Sequence, residues 1–406
     1  MLKEKNKYII IVLIYLSAQN FFNPFGIVPP QIGKALFYIF SLIGLYFAFK
    51  SRVKLNWIKY PRQTYKLLII GICVSIAMGS LFHDQSFMVT MIATLRYLFA
   101  YLFFFILMKL QVNKVQIEKL FKILVACSLV IYLANLAVFP NKIFGESQEE
   151  YDMSRGFARL GVPMLEIVVT YFLYSINQWI IYRKKKYVYW IILTAILIFM
   201  SLTRQVIALS AILGFLFVMQ KANWFKKLAV ITCCLFITYF VLPQIPMVKT
   251  MIELSEQQSL DNTEDEDIRI TAWRFYTSEF QTNELTPFLG NGVPSYGKSK
   301  WGDFVEQTTA LRTEGGNSCF TVDVGWAGFY WYFGAFATFG LILMFWKGII
   351  RKKNAGKQYL SYSLAFVAIT AVASGPILFY SQICSVSLLF YLAYAKENSN
   401  RHSQLQ

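Results

Sequence analysis

The stretch FMVTMIATLRYLFAYLFFFILM, residues 87–108, decides the class of this chain. It is apolar throughout except for a few hydroxyls and one charge, Arg96, and it is long enough to cross about 30 Å of hydrocarbon as a helix. In lipid the backbone must satisfy its own hydrogen bonds, which leaves a helix or a closed barrel, and the run is far too long for a barrel strand. Working outward, comparable runs recur at about 8–22, 35–49, 67–82, 120–139, 161–182, 187–202, 205–219, 228–243, 324–346, 359–376 and 379–395. The expectation is an all-α polytopic membrane protein with about twelve transmembrane helices, one integral membrane domain over residues 1–406. Composition agrees. Hydrophobic residues make up 56% of the chain and charged residues 15%, against about 25% charged in soluble domains.

Charge placement gives the orientation. With the N-terminus in the cytoplasm and strict alternation, the inner segments hold 27 of the 39 basic residues, the outer segments 11, and Arg96 lies within a span. Excess Lys and Arg marks the cytoplasmic side, so both termini are expected inside. The net charge of +17 therefore belongs to short membrane-flanking loops, and nucleic acid is not an expected partner. Of the 22 acidic residues only Glu4, Glu118 and Glu397 fall in inner segments. The six cysteines lie mostly inside apolar runs and the two histidines, His83 and His402, are far apart in sequence. No metal-ligand spacing, nucleotide-binding loop or nucleophile triad is visible, and no cofactor or metal is expected.

Two outer loops carry the irregular sequence, at about 140–160 and, much larger, at 244–323 between the ninth and tenth helices. In the larger one, the acidic run Asp261–Asp267 leads into RITAWRFY, residues 269–276. Carboxylates before an apolar-periodic stretch predict a helix start. At 3.6 residues per turn Arg269, Trp273, Tyr276 and Phe280 share a face, whereas Arg269 and Arg274 lie about 140° apart. Pro287 and the pair Gly290 and Gly292 then predict a break and a plain turn.

The residues that could carry chemistry are mainly arginines. Arg96 lies about 14 Å into its span, where an arginine costs at least about 2.5 kcal/mol. It needs either a structural partner on a neighbouring helix or an anionic substrate. Arg204, in Ser201-Leu202-Thr203-Arg204-Gln205, occupies a turn between two short spans and is expected to be recessed below the outer surface. A planar guanidinium there suits bidentate phosphate binding, and lipid-interface snorkelling is the alternative. Arg155 and Arg159 sit in the smaller outer loop, as solvated charges or as substrate contacts, and Glu166 lies near the outer end of the sixth span. Asp323, at the mouth of the tenth span, is either a helix N-cap or a partly desolvated general base.

Three stretches together resemble the bacterial O-antigen polymerase and O-antigen ligase superfamily. They are Ser201–Gln205, RITAWRFYTSEFQTNELTPFLGNG (residues 269–292), and DVGWAGFYWYFGAFATFG (residues 323–340). The resemblance implies a C-type glycosyltransferase-like fold in the bacterial cytoplasmic membrane with its active face outside. It implies an undecaprenyl-pyrophosphate-linked oligosaccharide as both donor and acceptor, with membrane lipid, a flippase and a chain-length regulator as further partners. Asp323, Arg204 and Arg269 are then the expected catalytic residues. Arg96, Arg155, Arg159, Arg274, Trp273 and Tyr276 are the expected substrate contacts. Ligases of the superfamily carry a histidine at the end of the large loop. This loop has none, which favours a polymerase, with Asp323 near the place where that histidine would fall. A ligase and a polysaccharide flippase are the alternatives; a transporter would spend its polar residues at the midplane of several helices.

Overall fold

The computed structural model describes residues 4–21, 29–52, 61–139, 160–221, 268–311, 320–351 and 353–395, with Ile143, Gln244 and Lys249 besides. Among the described residues eight helices precede the large loop: α1 (Glu4–Ala18), α2 (Pro30–Lys50), α3 (Pro61–Phe82), α4 (Phe87–Leu110), α5 (Lys114–Ala137), α6 (Leu165–Tyr182), α7 (Lys185–Met200) and α8 (Arg204–Lys221). Within that loop lie α9 (Ile268–Arg274), α10 (Thr286–Leu289) and α11 (Lys300–Leu311). The chain then continues through α12 (Gly325–Ile350), α13 (Tyr359–Thr370) and α14 (Tyr380–Tyr394). No strand occurs among the described residues. The protein is an all-α membrane protein. Helices α2, α3, α4, α5 and α12 are by themselves long and apolar enough to cross a bilayer. Each expected span within the described residues coincides with a helix; the ninth, 228–243, lies outside them.

Helix ends follow local chemistry. Ser86 accepts from the Val89 amide at 3.3 Å and starts α4, and Asn113 accepts from the Val115 amide at 2.9 Å and starts α5. Where hydrophobicity alone misplaced an end, the reason is visible. The first helix runs over 4–18 rather than 8–22, because Glu4 and Lys7 pair at 3.2 Å on an added first turn and Asn20 adopts a left-handed φ of 53°. Helix α6 starts at Leu165 rather than near 161, after Pro163 and a left-handed Met164. Helix α13 ends at Thr370 rather than 376, and residues 371–379 run on in turns as far as α14.

Helix α12 packs along α3, and α14 packs along α4. The feature that shapes the half of the bundle facing the large loop is a break in α12. Gly334, with φ 76° and ψ 175°, interrupts the helix, which frees carbonyls that hydrocarbon cannot satisfy. The large loop satisfies them. The Asn291 amide donates to the Trp331 carbonyl at 2.9 Å, and the Gly292 amide to that of Tyr332 at 3.1 Å. Gly290 and Gly292 are thus no plain turn. They form a re-entrant segment whose backbone passes so close to α12 that a β-carbon on Gly290 would lie 2.4 Å from the Tyr332 oxygen.

An aromatic column fixes this segment. Trp331 donates from Nε1 to the Phe280 carbonyl at 2.7 Å and its ring lies 5.3 Å from that of Phe280, nearly parallel. Trp301 of α11 stacks on His83 at 3.7 Å. Asn291 donates through Nδ2 to Trp331, so its Oδ1 accepts, and His83 Nε2 must carry the proton it shares with that oxygen at 3.1 Å. Burial pushes the His83 pKa down to about 4, so the ring is neutral at pH 7.

Candidate functional site

The mouth of the candidate site is built from three of the sequence stretches singled out above. Helix α9 begins at Ile268, directly after the acidic run, as the dipole argument predicts. Its regular turn does not reach Phe280. Residues Phe275–Glu279 form a π turn, closed by the Phe280 amide on the Phe275 carbonyl at 2.8 Å. That change of period separates the four residues expected on one face: Arg269 is exposed, Trp273 partly buried, Tyr276 and Phe280 buried. Arg269 faces the loop end, close enough for its charge to act on Asp323.

Asp323 does not cap α12. Val324 holds the N-cap position and no side chain bonds there. The carboxyl is instead partly desolvated, which raises its pKa above the usual carboxylate range, while Arg269 pulls it back down. The turns that follow α13 gather the remaining pieces. Trp273 Nε1 donates to the Val372 carbonyl at 2.8 Å. The Trp326 and Gly325 amides, just past Asp323, donate to Ala371 and Ser374 at 3.0 and 3.2 Å. Gln205, next to Arg204, donates to the Thr370 carbonyl at 3.3 Å. Residues Thr370–Ser374 are therefore the junction onto which the Ser201–Gln205 turn, the Arg269 helix and the Asp323 mouth all converge. Arg204 itself is the first residue of α8, after a left-handed Leu202, and is partly buried. A cation at a helix N-terminus opposes the dipole, so that end favours a nearby anion.

Deeper in the bundle, Arg96 is held by phenols. Its Nη2 donates to the Tyr97 hydroxyl at 3.0 Å, and its guanidinium lies 4.8 Å from the centre of that ring. Tyr38 of α2 and Tyr332 of α12 lie within electrostatic reach of the charge. Tyr296, in the re-entrant loop, lies beside Tyr332 and within reach of Arg96. Among the described residues Arg96 has no carboxylate partner, which removes the ion-pair reading of its cost in the membrane. Between the two arginine regions the Tyr332 hydroxyl meets Thr321 Oγ1, two residues before Asp323, at 2.8 Å. Sequence reasoning reached Arg96 and missed this ring of tyrosines, whose one signal was Tyr97 beside the charge.

No family model matches the chain, and no curated protein matches it.

The other expected contacts are distributed as follows. Arg274 is exposed and bonds Glu279 through Nε at 2.8 Å, pointing along its own helix. Tyr276 is buried against Trp331 at 5.5 Å between centroids, where it supports the aromatic column. Glu166 is buried in the first turn of α6. Arg155 and Arg159 lie outside the described residues. Among the described residues no group of three or more His, Cys, Asp or Glu gathers. What the mouth offers chemically is a carboxylate able to take a proton, a guanidinium beside it, and a second guanidinium on the turn that shares its junction.

Proposed function

We propose that this chain is a membrane polymerase that joins oligosaccharide repeat units carried on undecaprenyl pyrophosphate, by metal-independent glycosyl transfer with inversion. The observation that carries the reading is the convergence on Thr370–Ser374 of the arginine turn, the arginine–aromatic helix and Asp323. In this reading about twelve spans place both termini in the cytoplasm and residues 244–323 outside, in a C-type glycosyltransferase-like arrangement. Asp323 takes the proton of the acceptor hydroxyl as its oxygen attacks the anomeric carbon of the donor. The bond from that carbon to the pyrophosphate breaks with its electron pair on the leaving oxygen, and Arg204 and Arg269 offset the charge that develops there. The proton on Asp323 then passes to water.

Loss of the protein should leave single repeat units on lipid carrier or acceptor, with the lipid-linked units already on the outer leaflet. Accumulation on the cytoplasmic leaflet would identify a flippase instead. Full-length polymer left on its carrier would identify a ligase.

A further inference from the structure

Arg96 is not used by the chemistry at the mouth, and one of its donors is unaccounted for. Among the described residues Nε is fully buried and has no hydrogen-bond partner. A buried donor left unmade costs about 1–3 kcal/mol, so an arginine orphaned at this depth demands a reason. The adjacent Nη2 is engaged, among the described residues, by Tyr97 alone. Nε and Nη2 form the side-on edge of the guanidinium, the edge that grips the two oxygens of a carboxylate. Tyr97 touches it, Tyr38, Tyr296 and Tyr332 lie within electrostatic reach of its charge, and among the described residues no second cation does. The Nε atom itself is covered, while Arg96 as a whole is only partly buried and Tyr296 is 46% exposed.

We propose that this cluster binds the carboxylate of an acidic sugar residue in the saccharide chain. The inference rests on the polymerase reading and deepens it, for it makes the repeat unit anionic. Charge matching selects the ligand. One guanidinium with no neighbouring cation among the described residues balances one negative charge, whereas a pyrophosphate carries more and suits the mouth, where Arg204 and Arg269 stand. Depth argues the same way: Arg96 is about 14 Å below the start of α4, beneath the level of lipid headgroups. Phenol hydroxyls and ring faces suit the hydroxyls and C–H faces of a sugar ring.

The test uses the full-length protein in phosphatidylcholine nanodiscs, with sodium glucuronate as the probe and thermal unfolding as the readout. Glucuronate should raise the melting temperature saturably. Glucuronamide, the same ring without the charge, should need about tenfold or more higher concentration, the loss expected for a charge-assisted bond. Arg96→Gln should bring glucuronate down to the level of glucuronamide, and Arg96→Lys should fall between them. Equal binding of glucuronate and glucuronamide by the wild-type protein would overturn the proposal, and that comparison stands even where a variant fails to insert. Inorganic pyrophosphate displacing glucuronate at lower concentration would overturn it in favour of a phosphate site. So would phosphatidylglycerol discs that abolish glucuronate binding, in favour of a lipid headgroup. Binding is read without polymerisation. A chain that discriminates the charge yet makes no polymer keeps this site and loses the proposed activity; polymer without discrimination does the reverse.

Discussion

A carboxylate serves as a base only while ionised, and at Asp323 two opposed influences set that condition. Partial desolvation raises its pKa and the Arg269 charge lowers it. The acid limb of the polymerisation rate should therefore lie above that of a freely exposed aspartate. Arg269→Gln removes the lowering influence, so the folded pKa rises further and the limb should move to still higher pH. A rate–pH profile of both proteins checks this, and an unmoved limb would separate Arg269 from the base. Asp323→Asn keeps the shape and should lower the rate about 100-fold or more, the usual range for general base catalysis. The sequence marked both residues, because an arginine before an aromatic run and a carboxylate at a membrane mouth are chemically conspicuous. It could not pair them, since their approach depends on how α9 docks on the turns after α13. At Arg96 the cost of a charge in hydrocarbon made the residue legible, while its phenols were not: a tyrosine in an apolar run reads as core.

Among the elements, the broken α12 and the re-entrant loop depend on one another. The break at Gly334 leaves the Trp331 and Tyr332 carbonyls to the amides of Asn291 and Gly292, and Gly290 and Gly292, at positive φ, let that backbone come close. Gly290→Ala should lower stability by at least about 1–3 kcal/mol through backbone strain alone, and more because its β-carbon would strike α12. Gly297→Ala is the control. Its φ of 65° is also left-handed, but nothing lies within 4 Å of the added carbon, so only about 1–2 kcal/mol of conformational cost is expected. Thermal unfolding in detergent separates the two, and equal losses would deny the close docking. The sequence announced a turn at these glycines. It did not announce a re-entrant segment, because Gly334 sits in an apolar run like any other small residue and its partners are distant in the chain. The π turn at Phe275–Glu279 was hidden for a related reason: a shift of period within a single turn leaves too few residues to show it.

For the whole molecule, the membrane class was legible because span length is a physical requirement, and α2, α3, α4, α5 and α12 meet it by themselves. Helix ends were less so, since a helix can continue beyond the hydrocarbon, as α1 does at Glu4–Lys7, or stop within an apolar run, as α13 does at Thr370. The proposed function rests on how the ends of α8, α9, α12 and α13 are assembled around Thr370–Ser374. The most direct test is to reconstitute the purified full-length protein in vesicles with lipid-linked repeat units extracted from a strain lacking it. The account predicts a ladder of dimers and longer polymers, with one undecaprenyl pyrophosphate released for each bond formed and no loss of rate on adding EDTA. Repeat units recovered unchanged in length, or merely moved from one leaflet to the other, would contradict it.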